Sequence, residues 1–306
     1  MKKFIFKIIL FLLPVLLPLA TAELLIRQIP NDYKNKNLAI INQGKNYETL
    51  ILGSSHTHLG INPAYLDSKS YNLAFIGESI DLTSKVYQNF EENLDNIKTI
   101  IFPISYHTFY SPGLSKKWIK NYSIYYDIKI SDLPVDNLEI LNRDFKTIKD
   151  DIFNYYFKGQ DSIYMQSDVL GWRYGMGSNT KNYESAAKKT LIRHTHKDNG
   201  QVEKNFDKLL DLIKVWNSSN KKVILITTPL HEAYARGMNR IQWQKTIEKA
   251  EFLAREYDGV VYFNFYDDKR FKEDDFKDGD HLNSKGAKKI TQILNNIINR
   301  TNFSYE

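Results

Sequence analysis

The chain has 306 residues, 42% of them apolar and 25% charged, with a formal net charge of +6 and no cysteine. That composition suits one large globular domain, or a domain with a substantial insertion. It excludes disulfides, thiolate metal sites, a cysteine nucleophile and a lipoprotein anchor from this chain. The positive charge is diffuse, carried by lysines scattered through a chain rich in Lys, Asn, Ile and Tyr. No basic stripe interleaved with aromatics occurs, which argues against nucleic acid as a partner and for an anionic membrane surface or a polysaccharide.

Lys2, Lys3 and Lys7 precede an apolar run from Ile8 to Leu19, and Ala20-Thr21-Ala22 follows. A basic segment, an apolar segment and a small-x-small site describe an export signal over residues 1–27. Read on to Ile26, the stretch is about 19 residues, close to the roughly 20 that span a bilayer, and an uncleaved membrane anchor is the other reading. Glu23 inside the span, with Pro14 and Pro18, counts against an ordinary transmembrane helix. Under both readings the lysines stay cytoplasmic and residues 28–306 are exported. The expected location is periplasmic or otherwise extracytoplasmic, with the N-terminal segment as tether to the inner membrane.

After a polar stretch from Asn31 to Tyr47, five short apolar runs read as strands: Thr49–Leu52, Tyr71–Phe75, Thr99–Phe102, Val223–Ile226 and Val260–Phe263. Runs without alternation suit strands covered on both faces, as in a parallel sheet. Helical patterns cover Asp81 to Leu94, Val202 to Trp216 and Ile241 to Tyr257. In the last helix Ala287, Ile290, Ile293, Leu294, Ile297 and Ile298 share one face. Strands alternating with helices imply right-handed crossovers and a three-layer α/β/α sandwich on a mainly parallel five-stranded sheet. The segment from about 106 to 197, rich in Tyr, Lys and Asp, has no clear period. It reads as an insertion over the C-terminal edge of the sheet, where such folds bind ligands. Within it Gly171 to Gly177 reads as a loop whose Trp172 either packs or stacks on a sugar ring.

The first strand runs into Gly53-Ser54-Ser55-His56-Thr57-His58. A glycine and two serines at a strand end suit a tight strand-to-helix turn, with an exposed hydroxyl and converging backbone N–H groups. An acyl-transfer nucleophile needs both features. Near the other end, Asp278-Gly279-Asp280-His281-Leu282-Asn283 precedes the last helix. An aspartate three residues before a histidine can fix the tautomer and orientation of a general base. The plainer alternative makes Asp280 or Asn283 a helix cap and leaves His281 on the surface. His56 and His58 near Ser55 suggest a metal site with His281, but two-residue spacing on a turn without a carboxylate is poor evidence. No metal and no other cofactor is therefore expected. His231, after the fourth strand, either lines the same edge or is a solvated loop residue, and His194 and His196 read as solvated.

Taken together, the two blocks resemble the SGNH/GDSL hydrolase superfamily over roughly residues 48 to 298, and in particular its exported, membrane-associated polysaccharide O-acetyltransferase-like branch. The resemblance implies an SGNH/flavodoxin-like fold with Ser55 as nucleophile, the second residue after the glycine. Ser54 stands where an aspartate is more usual. The closing D-x-x-H falls on Asp278 and His281. The second block implies Gly77 as an oxyanion donor beside the Ser55 N–H. The third block, normally G-x-N-D, is replaced by Phe102-Pro103-Ile104-Ser105-Tyr106-His107, so Ser105 or His107 substitutes, or the hole rests on Ser55 and Gly77. His56, Ser105, His107 and His231 are the candidate substrate-binding residues. The implied work is acyl-ester chemistry on an envelope or surface polysaccharide. O-acetyl transfer to a glycan acceptor is the first expectation, with the acyl donor supplied by a membrane acyltransferase. An esterase or deacetylase, or an inactive accessory of polysaccharide assembly, are the alternatives.

Overall fold

Each of the five apolar runs contributes to a strand, the second only through Tyr71 and Asn72, in the computed structural model, which describes residues 2–113, 116–129, 134–160, 166–174 and 182–300. The chain opens with helices α1 (Lys2–Gln28) and α2 (Asp32–Gln43). Then follow β1 (Thr49–Ile51), α3 (Ser55–Gly60), β2 (Ser70–Asn72), α4 (Ile80–Phe90) and β3 (Thr99–Pro103). Helices α5 (Lys116–Tyr126), α6 (Phe145–Lys158), α7 (Tyr183–His194) and α8 (Gln201–Ser218) lead to β4 (Lys222–Thr227). The chain closes with α9 (Glu232–Gly237), α10 (Arg240–Glu256), β5 (Val260–Asn264) and α11 (Ser284–Arg300). It divides into two compact units, residues 1–38 with 115–165, and 39–114 with 166–306. The segment from 106 to 197 is thus shared between the units, and Gly175, Met176 and Gly177 of its glycine cluster lie outside the described residues.

The second unit holds the sheet, all parallel, in the order β2-β1-β3-β4-β5. Its strands are short and apolar because helices cover both faces. Ile51, Ile101, Ile224 and Ile226 pack on one side with Ile290 and Leu294 of α11. On the other, Phe102 meets Trp216 of α8, whose ring in turn meets Tyr87 of α4. Winding reverses between β1 and β3, so the crevice beyond their C-terminal ends is the switch point at which such sheets take ligands.

Gly53 sits at that point with φ +97°, and a Cβ there would lie 2.4 Å from Cδ of Pro103 at the end of β3. Only glycine combines that backbone conformation with so close an approach. Gly53→Ala is expected to destabilise the unit by more than about 2 kcal/mol, read as a lower urea midpoint. An unchanged midpoint would sink this account of the turn.

The first unit is built differently. Ile26 and Ile29 from the end of α1 are fully buried beside Ile148 of α6, with Ile152 and Tyr155 against them. The Glu23 carboxylate accepts from the backbone N–H groups of Glu139 (3.1 Å) and Ile140 (2.9 Å) and pairs with Arg27. The acidic residue that looked out of place in an apolar run is therefore fully employed. Pro14 and Pro18 lie inside α1, and Leu10 to Gln28 is long and apolar enough to cross a membrane. Tyr33 meets the rings of Tyr122, Tyr125 and Tyr126, so α5 is held by aromatic edges and faces rather than an aliphatic stripe.

Candidate active site

Ser55 is the first residue of α3, which starts directly after the Gly53 turn. Two side chains hold this short helix in place. The Thr57 hydroxyl donates to the Leu52 carbonyl at 2.7 Å. The buried Asn72 amide, from the end of β2, donates to the carbonyls of Thr57 (2.9 Å) and Ile61 (2.8 Å). Gly77 follows at φ +69°, on a loop joined to the Ser55 turn by the bond from the Phe75 N–H to the Gly53 carbonyl, 2.9 Å.

The partner loop is fixed from the other side. Asn283 caps α11, accepting from Lys285 and Gly286 N–H while its amide donates to the carbonyls of Asp274 and Phe276. Just before it, the Asp278 carboxylate accepts from the backbone N–H groups of His281 (3.0 Å) and Asp280 (3.2 Å). With the carboxylate so pinned, His281 Nδ1 lies 2.9 and 3.2 Å from its two oxygens, and His281 Nε2 lies 2.8 Å from Ser55 Oγ. The structure therefore brings Ser55, His281 and Asp278 into one hydrogen-bonded line, from opposite ends of the chain and one edge of the sheet.

Behind His281 lies a polar layer that short motifs did not reveal. Asp280 is buried, with Oδ1 at 3.4 Å from His281 Nδ1 and Oδ2 at 3.7 Å from His56 Nε2 and 3.8 Å from His194 Nδ1. Oδ2 has no hydrogen-bond partner among the described residues. His194, read from the sequence as solvated, instead stacks on His107 with ring centroids 3.8 Å apart and shares a 2.8 Å bond with the Tyr234 hydroxyl. The buried Ser105 hydroxyl and His107 Nδ1 have no partner among the described residues. His231 lies elsewhere in role, capping α9 through Nδ1 and stacking on Tyr183 at 4.1 Å. Trp172 is buried, its indole N–H donating to the Leu59 carbonyl at 2.8 Å.

Burial holds His56, His107 and His194 well below the ordinary imidazole range, so all three are neutral at pH 7. Burial also pushes Asp280 up to about 6, against the charge of His281 and with that of Asp278. For Asp278 burial acts upward too, but the hydrogen bond and charge of His281 outweigh it and hold this carboxyl below its usual range. His281 is depressed by burial, then raised beyond it by Asp280 and by Asp278, and ends above the ordinary imidazole value. The sign follows: an Asp280 anion favours imidazolium, so Asp280→Asn should lower the His281 pKa. An NMR titration of the ring checks this; an unmoved midpoint would show that Asp280 exerts no field on it.

His56, Asp280 and His281 also offer ligand atoms within 4.8 Å of one another, close enough for a metal ion to bridge them. Ligation by His281 would occupy a nitrogen that Asp278 or Ser55 engages, so ion and triad are alternatives at this base.

A hydroxyl, an imidazole and a carboxylate in line at the switch point of a doubly wound sheet can carry out nucleophilic acyl chemistry. No family model matches the sequence, and no curated protein matches it. Among solved structures, the chain is similar to a protein described as an acylhydrolase from Bacteroides fragilis. The identity is 12%, over 88% of this chain and 95% of that one, with a TM-score of 0.42. It is likewise similar to a GDSL-like lipase from Bacteroides thetaiotaomicron, at 10% identity over 88% and 99% of the two chains and a TM-score of 0.42.

Proposed function

We propose that this chain is an exported acyl-ester enzyme that acts on an envelope polysaccharide, and that acetyl transfer is its reaction. The observation that carries the reading is the 2.8 Å bond between His281 Nε2 and Ser55 Oγ, with Asp278 on the opposite ring nitrogen. Ser55 Oγ attacks the acyl carbonyl as His281 takes its proton, and Asp278 accepts from Nδ1–H and supports the imidazolium. The N–H groups of Ser55 and Gly77 receive the oxyanion. Collapse of the tetrahedral intermediate breaks the bond to the leaving group, which takes the proton from His281, and an acyl-Ser55 ester remains. A sugar hydroxyl then repeats the sequence in reverse; water in its place makes the chain an esterase.

The exported setting is supported by the lysines at the N-terminal end of the apolar α1, and by the resemblance to membrane-associated proteins of polysaccharide modification. The donor in that setting is an acyl group delivered by a membrane acyltransferase. Intact-mass analysis after mixing with an activated acetyl ester should reveal one acetyl adduct on Ser55. Acetyl content of the envelope glycan, compared with and without the chain, separates transfer, which raises it, from deacetylation, which lowers it. A chain that forms no adduct with any acetyl donor and leaves the glycan unchanged would overturn the reading. A periplasm-dependent reporter fused after Glu306 tests export, and a signal from a cytoplasm-dependent reporter there would contradict it.

A further inference from the structure

Helix α6 is amphipathic with both faces apolar in part. Ile148, Ile152 and Tyr155 turn inward against the last turns of α1. On the outside stand Phe145 (76% exposed), Phe153 (48%), Tyr156 (40%) and Phe157 (74%). Phe153 and Phe157 stack with ring centroids 5.4 Å apart, so these two form a joint apolar patch rather than isolated exposures. Lys146, Lys149 and Lys158 are exposed on the same helix.

The place of this patch along α1 identifies its occupant. Upstream of Glu23, α1 is an apolar rod whose side chains, among them Leu10, Phe11, Val15, Leu16 and Leu17, are exposed. At Glu23 the rod changes character, because its carboxylate is tied to the backbone amides of residues 139 and 140 and the helix, exposed above, is now partly covered by protein, with Ile26 and Ile29 buried. That level is where a span formed by α1 leaves the bilayer. Helix α6 is attached there: the Tyr156 hydroxyl donates to the Leu25 carbonyl at 3.0 Å. Aromatic rings mixed with lysines, at the depth where a span emerges, match the headgroup boundary, which accepts ring bodies and attracts ammonium groups to anionic lipid.

We infer that the outer face of α6 is a second membrane contact, its phenylalanines seated in the headgroup–acyl boundary of the bilayer that α1 spans. The inference rests on the reading of α1 as a retained anchor. Two contacts fix what one helix leaves free, the tilt and rotation of the N-terminal unit on the lipid surface.

The chain has no cysteine, so single labels are unambiguous. Full-length Phe157→Cys and Phe153→Cys, each carrying an environment-sensitive fluorophore, are placed in vesicles of phosphatidylethanolamine and phosphatidylglycerol. Lipids spin-labelled near the headgroup or deep in the chains are then added. The expected result is blue-shifted emission at both positions, most of it lost to the shallow quencher, while Leu16→Cys is quenched by the deep one. Quenching at Leu16→Cys with none at the two α6 positions overturns the inference and leaves the anchor intact. No lipid quenching at Leu16→Cys overturns the anchor reading, and the inference with it. Labels on α6 shielded from aqueous iodide yet untouched by either lipid quencher mean that protein covers the patch, which also overturns it. Circular dichroism of each labelled chain confirms that these exposed substitutions leave the fold in place.

Discussion

Ser55→Ala is expected to lower turnover of an acetyl ester by at least about a thousandfold, and as much as about a millionfold, without disturbing the fold. The hydroxyl is half-buried at the start of a six-residue helix, where truncation removes little packing, and its bond to His281 is the contact on which the proposed mechanism rests. His281→Ala should fall to the same floor, and the double variant should fall no further, because base and nucleophile act as one unit. The measurement is kcat/KM for a chromogenic acetyl ester, with circular dichroism on each variant. A folded Ser55→Ala protein with unchanged turnover would exclude this nucleophile.

Asp278 is expected to behave differently from Ser55, and the difference tests what the carboxylate does. Its Oδ1 already accepts from two backbone N–H groups as well as facing His281 Nδ1. An asparagine oxygen can keep those bonds, so Asp278→Asn retains the loop and part of the ring's orientation, but loses the charge that supports imidazolium. The expected loss is roughly a hundredfold to ten-thousandfold, smaller than for Ser55→Ala. The pH–rate profile carries a second signature. His281 must be neutral to accept a proton, and its raised pKa owes part of its height to Asp278. Removing that anion lets the base stay neutral at lower pH, so the acid limb should move to lower pH even as the plateau falls. An acid limb that stays put, or moves up, would show that another group governs it.

Much of this was legible in the chain, and the legible parts share a physical cause. Four of the five strands are buried along nearly their whole length, and β5 only at Val260, so runs such as Thr99-Ile100-Ile101-Phe102 stand out without any partner being known. Gly53-Ser54-Ser55 and Asp278-x-x-His281 are local as well, each a turn whose geometry a few consecutive residues define. Helix α5 was opaque because its inward face uses tyrosine: Tyr122, Tyr125 and Tyr126 are buried, so an aliphatic period never emerges. Helix α2 lay hidden in a stretch dominated by Asn and Lys. Asp280 and His194 were missed for a different reason. Nothing adjacent in the chain distinguishes a buried carboxylate from a capping one, and the stacking of His194 on His107 exists only once α7 has docked. The one available signal was a second acidic residue inside an already acidic turn beside the histidine.

The separation of Ser55 from His281 by 226 positions has a consequence in time rather than space. Ser55 emerges from the ribosome early, while His281 sits on a loop that Asn283 ties to the start of the final helix. Until Ile290 and Leu294 of that helix settle against the sheet, the serine is an ordinary alcohol with no acceptor for its proton. A chain still being made therefore carries Ser55 without the proton acceptor that the proposed chemistry needs.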